Sequence, residues 1–106
     1  MEFADIIAKA KDIRAAYEKY EKKTYGKTWS EANIAEGFVG DVGDLMKLVL
    51  AKQGVRQIEN VDEKLAHELS DCLWSIIVLA DLYSVDLEES FLKTMNEVEA
   101  RIDDNG

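Results

Sequence analysis

Residues 72–80 read CLWSIIVLA, and this stretch decides the fold because it is apolar on nearly every side of a helix. An ordinary surface helix keeps one polar face, so a helix without one must be surrounded. In a chain of 106 residues, that indicates a central position or a subunit interface. The stretch is too short to cross a membrane, which takes about 20 apolar residues, and no membrane partner is expected.

On both sides of this stretch, the spacing of apolar residues predicts four helices and therefore an all-α fold. The central helix runs from about residue 60 to residue 83. Two helices precede it, at about residues 3–23 and 30–54, and a fourth covers about residues 86–102. The chain contains no proline, so nothing interrupts long helices. Because so small a helical chain has a modest core, we expect an oligomeric helical bundle, as a homodimer or homotetramer.

The helix ends and buried faces can also be predicted. Ser30, Asn60 and Asp86 are placed as N-cap residues, the last two with a glutamate three residues later. The first helix carries one apolar stripe, formed by Phe3, Ile6, Ile7, Ala10, Ile13, Tyr17 and Tyr20. The fourth helix is expected to bury Leu87, Phe91, Met95 and Val98. The stretch GFVGDVGD, residues 37–44, is expected to be helical, with a partial turn as the alternative.

Composition and charge limit the possible functions. The chain suits a single domain, residues 1–106, and its 47% hydrophobic and 33% charged residues indicate a globular protein. Its net charge of −9 argues against binding a nucleic acid polymer, which needs a basic patch. A small phosphorylated substrate stays open, because divalent metals reverse the local sign of a site. The single cysteine, Cys72, and the lack of a signal-peptide pattern lead us to expect a cytoplasmic protein.

Two acidic pairs lie within helices that otherwise look core-forming. Asp41 and Asp44 lie in the second predicted helix, and Glu68 and Asp71 lie in the third. Residues three apart share one helix face, so the members of each pair can share a ligand. If the two helices face each other, the acids converge, and two carboxylates about 5 Å apart repel by roughly 3 kcal/mol at an effective dielectric near 20. Either protonation or a bound metal must offset that repulsion.

The metal that such a site prefers follows from its ligands. Carboxylate oxygens favour Mg²⁺, with Mn²⁺ as a substitute, over zinc or copper. Zinc sites prefer histidine and cysteine, of which the chain has only His67 and Cys72. A ferritin-like di-iron site needs Glu-x-x-His, but Lys64 stands where that glutamate would be.

Three stretches resemble the MazG-like nucleoside triphosphate pyrophosphohydrolases, an all-α superfamily. They are GDVGDLMKLVL at residues 40–50, HELSDCLWSIIVLADLYSVDLEESFLK at 67–93 and KTMNEVEARI at 93–102. The family pattern is Glu-x-x-Glu on one helix and Glu-x-x-Asp on the next. The second pair matches directly as Glu68 and Asp71, whereas Asp41 and Asp44 keep the charge of the first pair with shorter side chains.

The resemblance implies an enzyme that hydrolyses a (deoxy)nucleoside triphosphate to the monophosphate and pyrophosphate, with nucleotide-pool housecleaning as the family role. It also implies that both acidic pairs hold Mg²⁺. Lys93 and Asn96 resemble the family's lysine and asparagine that contact substrate phosphate or metal-bound groups.

Further roles are assigned to individual residues. Asp41 and Asp44 are the expected catalytic acids, with Asp41 as the general base because it is the more enclosed and its pKa should be raised. Trp29 is an aromatic candidate for stacking on the nucleobase. The alternative for Trp29 is a hydrophobic staple at the start of the second helix.

Two other functions stay open on sequence grounds. The chain could be a non-catalytic helical interaction or regulatory module of the same fold, or a hydrolase of another diphosphate-containing metabolite. We favour the nucleotide pyrophosphohydrolase because all four positions remain acidic. A degenerate site would be expected to lose at least one charge, since nothing would then offset the repulsion between the acids.

Overall fold

In the computed structural model, which describes residues 1–105, the chain folds into four α-helices. They are α1 (Phe3–Tyr25), α2 (Glu31–Lys52), α3 (Val61–Leu82) and α4 (Leu87–Asn105). The described residues contain no β-strand, so the all-α prediction is confirmed. The glycine-rich stretch 37–44 is helical throughout, and the alternative of a partial turn there is wrong. The domain boundaries 1–106 stay a prediction.

Local capping explains where two of the helices begin. The hydroxyl of Ser30 accepts a hydrogen bond from the backbone N–H of Asn33 at 3.2 Å, and the Asn33 side chain accepts one from the Ser30 N–H at 3.0 Å. Asp86 Oδ1 likewise accepts a hydrogen bond from the Glu89 N–H at 3.1 Å. Asn60 is the N-cap of α3, as predicted, but its backbone is left-handed, with φ of 55°, and its side chain makes no cap hydrogen bond. The predicted capping-box pairing with the glutamate three residues later is therefore wrong.

The core lies mainly between α2 and α3. A connection of only eight residues, 53–60, joins these two helices into an antiparallel hairpin. The two strongest apolar anchors are Ile34 on α2 and Val78 on α3, which are 2% and 1% exposed. Across the hairpin's connected end, Lys52 Nζ lies 2.6 Å from Asp62 Oδ1. This pairing of α2 with α3 sets the relative positions of the acidic residues.

The apolar stretch 72–80 is only partly surrounded. Four of its residues are buried in this chain: Cys72, Ser75, Ile77 and Val78. Leu73 and Ile76 remain 42% and 39% exposed on the opposite side of α3. No helix in the described part of the chain is long and apolar enough to span a membrane.

Helix α1 packs on α3 through a face that includes charged residues. Its buried positions are Ala10, Arg14 and Glu21, and the indole N–H of Trp74 donates to the Ala10 carbonyl at 3.2 Å. The ring of Tyr17 meets that of Trp74 edge to face, with centroids 5.7 Å apart. Much of the predicted apolar stripe is exposed instead, at Ile6, Ile13, Tyr17 and Tyr20.

Helix α4 is the least covered element. Phe91 and Met95 are 57% and 42% exposed, and no described side chain of α4 is fully buried. The prediction that Leu87, Phe91, Met95 and Val98 form a buried stripe is therefore wrong for the single chain. Periodicity identified an apolar face, but the single chain does not supply enough surface to cover it.

Replacement of Val78 by alanine should lower the free energy of unfolding by about 2 kcal/mol, because it removes two fully enclosed methyl groups and leaves a cavity. The matched change Val55→Ala lies in the connection from α2 to α3, where the side chain is 68% exposed, and it should leave the free energy of unfolding nearly unchanged. Urea denaturation followed by circular dichroism measures both. Equal losses would contradict the placement of the core.

Candidate metal centre and its flanking clefts

The α2–α3 hairpin brings three of the four predicted acids together. Asp41 and Asp44, one turn apart on α2, lie beside Glu68 on α3, and one oxygen from each falls within 4.8 Å of the others. Glu68 Oε2 is buried and has no hydrogen-bond partner in the described structure. An acceptor left in that condition destabilises the fold unless a cation or proton satisfies it. The cluster therefore has the chemistry of a cation site.

The electrostatics of the cluster point the same way. Burial is the main cause that raises the pKa of Asp41 above its ordinary value, followed by the negative charges of Asp71 and Asp44. Burial also raises the pKa of Glu68, followed by the charges of Asp41, Asp71 and Asp44. The positive charge that His67 can carry works in the opposite direction at both groups. Both acids are thus easier to protonate than isolated carboxyl groups.

Asp71 is not a member of the three-oxygen cluster, although its charge acts on both Asp41 and Glu68. Its Oδ2 atom is 3.1 Å from His67 Nε2, one helical turn earlier on α3. This pair is half-exposed to exposed, and its spacing of four residues is a signal that the sequence already carries. From the sequence, His67 was considered as a zinc ligand, and its contact with Asp71 was not predicted.

The donors present suit a hard divalent cation. Three carboxylates offer oxygen ligands, which Mg²⁺ and Mn²⁺ prefer. The nearby Cys72 does not favour zinc, because burial, followed by the charges of Asp41, Glu68 and Asp71, raises the pKa of its thiol. The orphaned Glu68 oxygen and the all-oxygen donor set both fit Mg²⁺.

An aromatic cleft opens on one side of the acid cluster. It has a volume of about 560 Å³ and contains Asp41 and Asp71 in its wall. Its aromatic lining consists of Tyr17, Tyr20, Tyr25, Trp29 and Trp74. Gly37 on α2 also lines it, and a Cβ atom placed there would have no neighbour within 4 Å. The missing side chain thus leaves space within the cleft.

A second cavity, of about 500 Å³, borders the other side of the cluster, at Asp44 and Glu68. It differs from the aromatic cleft because three basic side chains line it: Lys47, Lys64 and His67. Lys47 Nζ lies 3.8 Å from Asp44 Oδ1, so one of these cations already contacts the cluster. The acids therefore separate an aromatic space from one with mixed charge.

The other predicted substrate residues fall in different places. Trp29 is 48% exposed and lines the aromatic cleft. Lys93 and Asn96 are exposed on α4, and neither lines the two cavities beside the acids. Within one chain, the structure thus brings Trp29 toward the acids and does not bring Lys93 or Asn96 there.

Sequence reasoning missed the anchor of Trp29. Its carbonyl accepts a hydrogen bond from Arg14 Nη2 at 2.7 Å, and its N–H donates to Glu21 Oε1 at 2.7 Å. Arg14 and Glu21 lie seven residues apart on one face of α1 and are 6% and 4% exposed. Two residues of opposite charge, seven apart, lie on the same helix face as the apolar Ala10. This pattern is the sequence signal that could have indicated the contact.

Without metal, the acid cluster should make stability fall as pH rises. A carboxyl group with a raised pKa binds its proton more tightly in the folded state than in the unfolded state. The ordinary pKa values are 3.8 for Asp41 and 4.5 for Glu68, and stability should fall as the pH rises from these values through the higher pKa values of the folded state. In the presence of a chelator, Glu68→Gln should therefore raise the melting temperature at neutral pH and flatten its dependence on pH above the ordinary Glu68 pKa of 4.5. The exposed control Glu59→Gln should do neither. Thermal unfolding across pH checks this, and a lower melting temperature for Glu68→Gln at neutral pH would contradict it.

Comparison with known proteins identifies the family of the chain. The family model of the MazG nucleotide pyrophosphohydrolase domain matches residues 30–104, which contain the three clustered acids and Asp71. No curated protein and no solved structure matches the chain. The family match covers well over half of the 106 residues. The resemblance seen in the sequence is therefore confirmed, and the chain belongs to the MazG nucleotide pyrophosphohydrolase family.

Proposed function

We propose that this protein hydrolyses a deoxynucleoside triphosphate to the monophosphate and pyrophosphate, with Mg²⁺ held by its acidic residues. The observation that carries the proposal is the convergence of Asp41, Asp44 and Glu68 between an aromatic cleft and a cavity of mixed charge. That cavity is lined by three basic side chains and by Glu63 as well as Asp44 and Glu68. A nucleotide has the same sequence of parts: an aromatic base, a reacting phosphate, and further phosphates beyond it. Family membership supports this reaction in general.

The aromatic cleft is suited to the nucleobase. Its volume of about 560 Å³ lies within the range of small-molecule sites. Aromatic rings stack on every base, and each such contact contributes about 1–3 kcal/mol. Trp29 is half-exposed at this cleft, which favours the stacking role over that of a buried staple. The cleft's wall includes Asp41 and Asp71, so a base bound there would place its phosphates near the acids.

The second cavity is suited to the departing pyrophosphate. Lys47 and Lys64 can contact phosphate oxygens there, and His67, which contacts Asp71, lines the same cavity. The same cavity contains Asp44 and Glu68, so its charges are mixed and a polyphosphate alone would be repelled by the acids. Bound Mg²⁺ would neutralise that negative charge and the charge that develops on the phosphates.

In the reaction, a water oxygen would bond to the α-phosphorus while the bond from that phosphorus to the α–β bridging oxygen breaks. The bridging oxygen leaves with pyrophosphate. Asp41 is our candidate for the group that accepts the water's proton, because burial and neighbouring charge raise its pKa. Asp41, Asp44, Glu68 and Asp71 would together hold Mg²⁺, and His67 would orient the side chain of Asp71.

We propose that two copies of the chain pair through an uncovered apolar face. On α2 this face consists of Val39, Val42, Met46 and Val49. On α3 it consists of Leu69, Leu73 and Ile76. Each residue of both sets directly follows, in sequence, a residue that faces the other helix. Successive helical residues are rotated by about 100°, and because the two helices are antiparallel, this rotation turns both sets to the same side of the pair. A second copy on that face would complete a four-helix bundle.

Pairing would also account for the substrate residues that lie away from the acids. Lys93 and Asn96 are exposed on α4, which its own chain leaves largely uncovered. In a homodimer or a homotetramer, α4 of one copy can bring both residues to the substrate of another. This arrangement would give each site phosphate contacts that a single chain lacks.

Activity is tested by pyrophosphate release from a panel of deoxynucleoside triphosphates in Mg²⁺. Wild type should release pyrophosphate and no inorganic phosphate, and Asp41→Asn should lose at least about 100-fold in kcat, as expected for a general base. Asp12→Asn, at an exposed position of α1, is the matched control and should keep wild-type activity. Release of inorganic phosphate alone would move the cleaved bond, and turnover unchanged in Asp41→Asn with Mg²⁺ still bound would remove its role. No release from any nucleotide would favour a non-catalytic module.

Pairing is tested by sedimentation. Wild type should sediment at an even multiple of the 12.0 kDa chain, two or four copies. Val39→Glu should shift it toward monomer, because a charge on the apolar face must lose water when that face is covered. Val55→Glu is the matched control: the two valines are 70% and 68% exposed, but Val55 lies outside the face. A monomeric wild type, or equal behaviour of both variants, would reject this interface.

A further inference from the structure

We propose that Arg14 and Glu21 are positioning residues for substrate recognition: they hold the backbone of Trp29 so that its indole is preset at the edge of the aromatic cleft. The inference rests on the proposed function only for the identity of what binds in the cleft. The anchoring itself is a property of the protein without substrate.

The two charged side chains act on the same residue from both sides. Arg14 Nη2 donates to the Trp29 carbonyl and Glu21 Oε1 accepts from the Trp29 N–H, each at 2.7 Å. The two side chains also contact each other, with Arg14 Nη1 3.5 Å from Glu21 Oε1. Both backbone hydrogen-bonding groups of Trp29 are therefore committed to α1.

Burial makes this arrangement energetically meaningful. Arg14 is 6% and Glu21 is 4% exposed, and a buried ion pair must offset a large loss of hydration. An apolar pair at these positions would serve the packing of α1 at least as well. What an apolar pair cannot supply is a donor and an acceptor for one backbone unit. The charges thus fix a particular segment in a particular place.

That place matters for the cleft. Trp29 immediately precedes Ser30, the N-cap of α2, so the same short segment both starts α2 and forms the cleft edge. With its backbone held from α1, the indole retains mainly its own side-chain rotations. A rigid aromatic surface loses less conformational freedom on binding than a mobile one, so the anchor should improve substrate affinity. Its effect should appear in KM more than in kcat.

A purely structural anchor would predict something different. It would lower stability when broken, and any loss of activity would not depend on the indole. If Arg14 and Glu21 act through Trp29, their effect on KM must disappear once the indole has been removed. The side chain can be removed without removing the backbone groups that the anchor binds, so the chain allows this separation.

The first experiment measures the anchor without any substrate. The chain has two tryptophans, so Trp74→Phe leaves Trp29 as the only indole. In that background, Glu21→Ala should lower the fluorescence anisotropy of Trp29 and increase its quenching by acrylamide. Glu21→Gln keeps an acceptor for the Trp29 N–H and should stay close to the parent. Glu18→Ala is the control, because Glu18 contacts Arg14 Nε at 3.3 Å while the bonds to Trp29 come from Arg14 and Glu21.

The second experiment is a double-mutant cycle in the otherwise wild-type protein. Glu21→Ala should raise KM by up to about tenfold, because the released indole must then lose its added mobility on binding, with a much smaller change in kcat. Glu21→Gln should restore most of the affinity. Trp29→Ala should raise KM by itself, and adding Glu21→Ala to it should cause little further change. Circular dichroism of each variant identifies those that remain folded.

The outcomes separate the two proposals. Unchanged Trp29 anisotropy in folded Glu21→Ala would overturn the anchor, whatever the protein hydrolyses. Altered anisotropy with fully additive effects on KM would show that the anchor exists but does not act through the indole, which also overturns the positioning role. If no nucleotide is hydrolysed, equilibrium binding of a non-hydrolysable deoxynucleotide replaces KM in the same cycle. Should Glu21→Ala fail to fold, Arg14→Lys, which cannot reproduce the guanidinium fork, takes its place.

Discussion

Repulsion among the carboxylates between α2 and α3 is the constraint on which the rest of this structure depends. Three acidic oxygens within 4.8 Å oppose the pairing of the two helices that carry them. The pairing survives because apolar side chains on both sides of the acids are buried, among them Ile34, Leu48 and Cys72. Apolar contacts along the hairpin thus stabilise it, and the clustered acids near its centre destabilise it. A cation bound there would stabilise the fold, because it would remove a cost that packing otherwise has to offset.

The same division between a firm centre and incomplete surroundings extends to the whole chain. Within the described residues, α2 and α3 make the main packing, α1 adds a face that includes buried charges, and α4 leaves Phe91 and Met95 in contact with solvent. A 12.0 kDa chain has too little interior to cover every apolar stripe that its four helices present. These uncovered apolar stripes are the basis for the proposed pairing of two or more copies of the chain.

Sequence reasoning succeeded where the determinants are local and failed where they depend on distant partners. Ser30 and Asp86 cap helices through residues three positions away, so their roles could be read directly. The acids could be grouped because i, i+3 spacing and antiparallel pairing together limit where they lie. The exposure of Phe91 could not be predicted, since periodicity identifies an apolar face but not what covers it. The link from Arg14 to Trp29 joins residues fifteen apart through a turn, and propensities carry no information about such a contact.

The location of the Trp29 anchor has an evolutionary consequence. Arg14, Glu21 and Trp29 all precede residue 30, where the match to the family domain begins, whereas the clustered acids lie within it. The cleft that would bind the base is therefore built partly from residues outside the matched domain, while Gly37, Asp41 and Trp74 line it from within that domain. Tyr17 and Tyr20 of α1 add to the part of the lining that lies outside the matched domain. The aromatic lining of the cleft can therefore change through α1 without any substitution on the two helices that carry the acids.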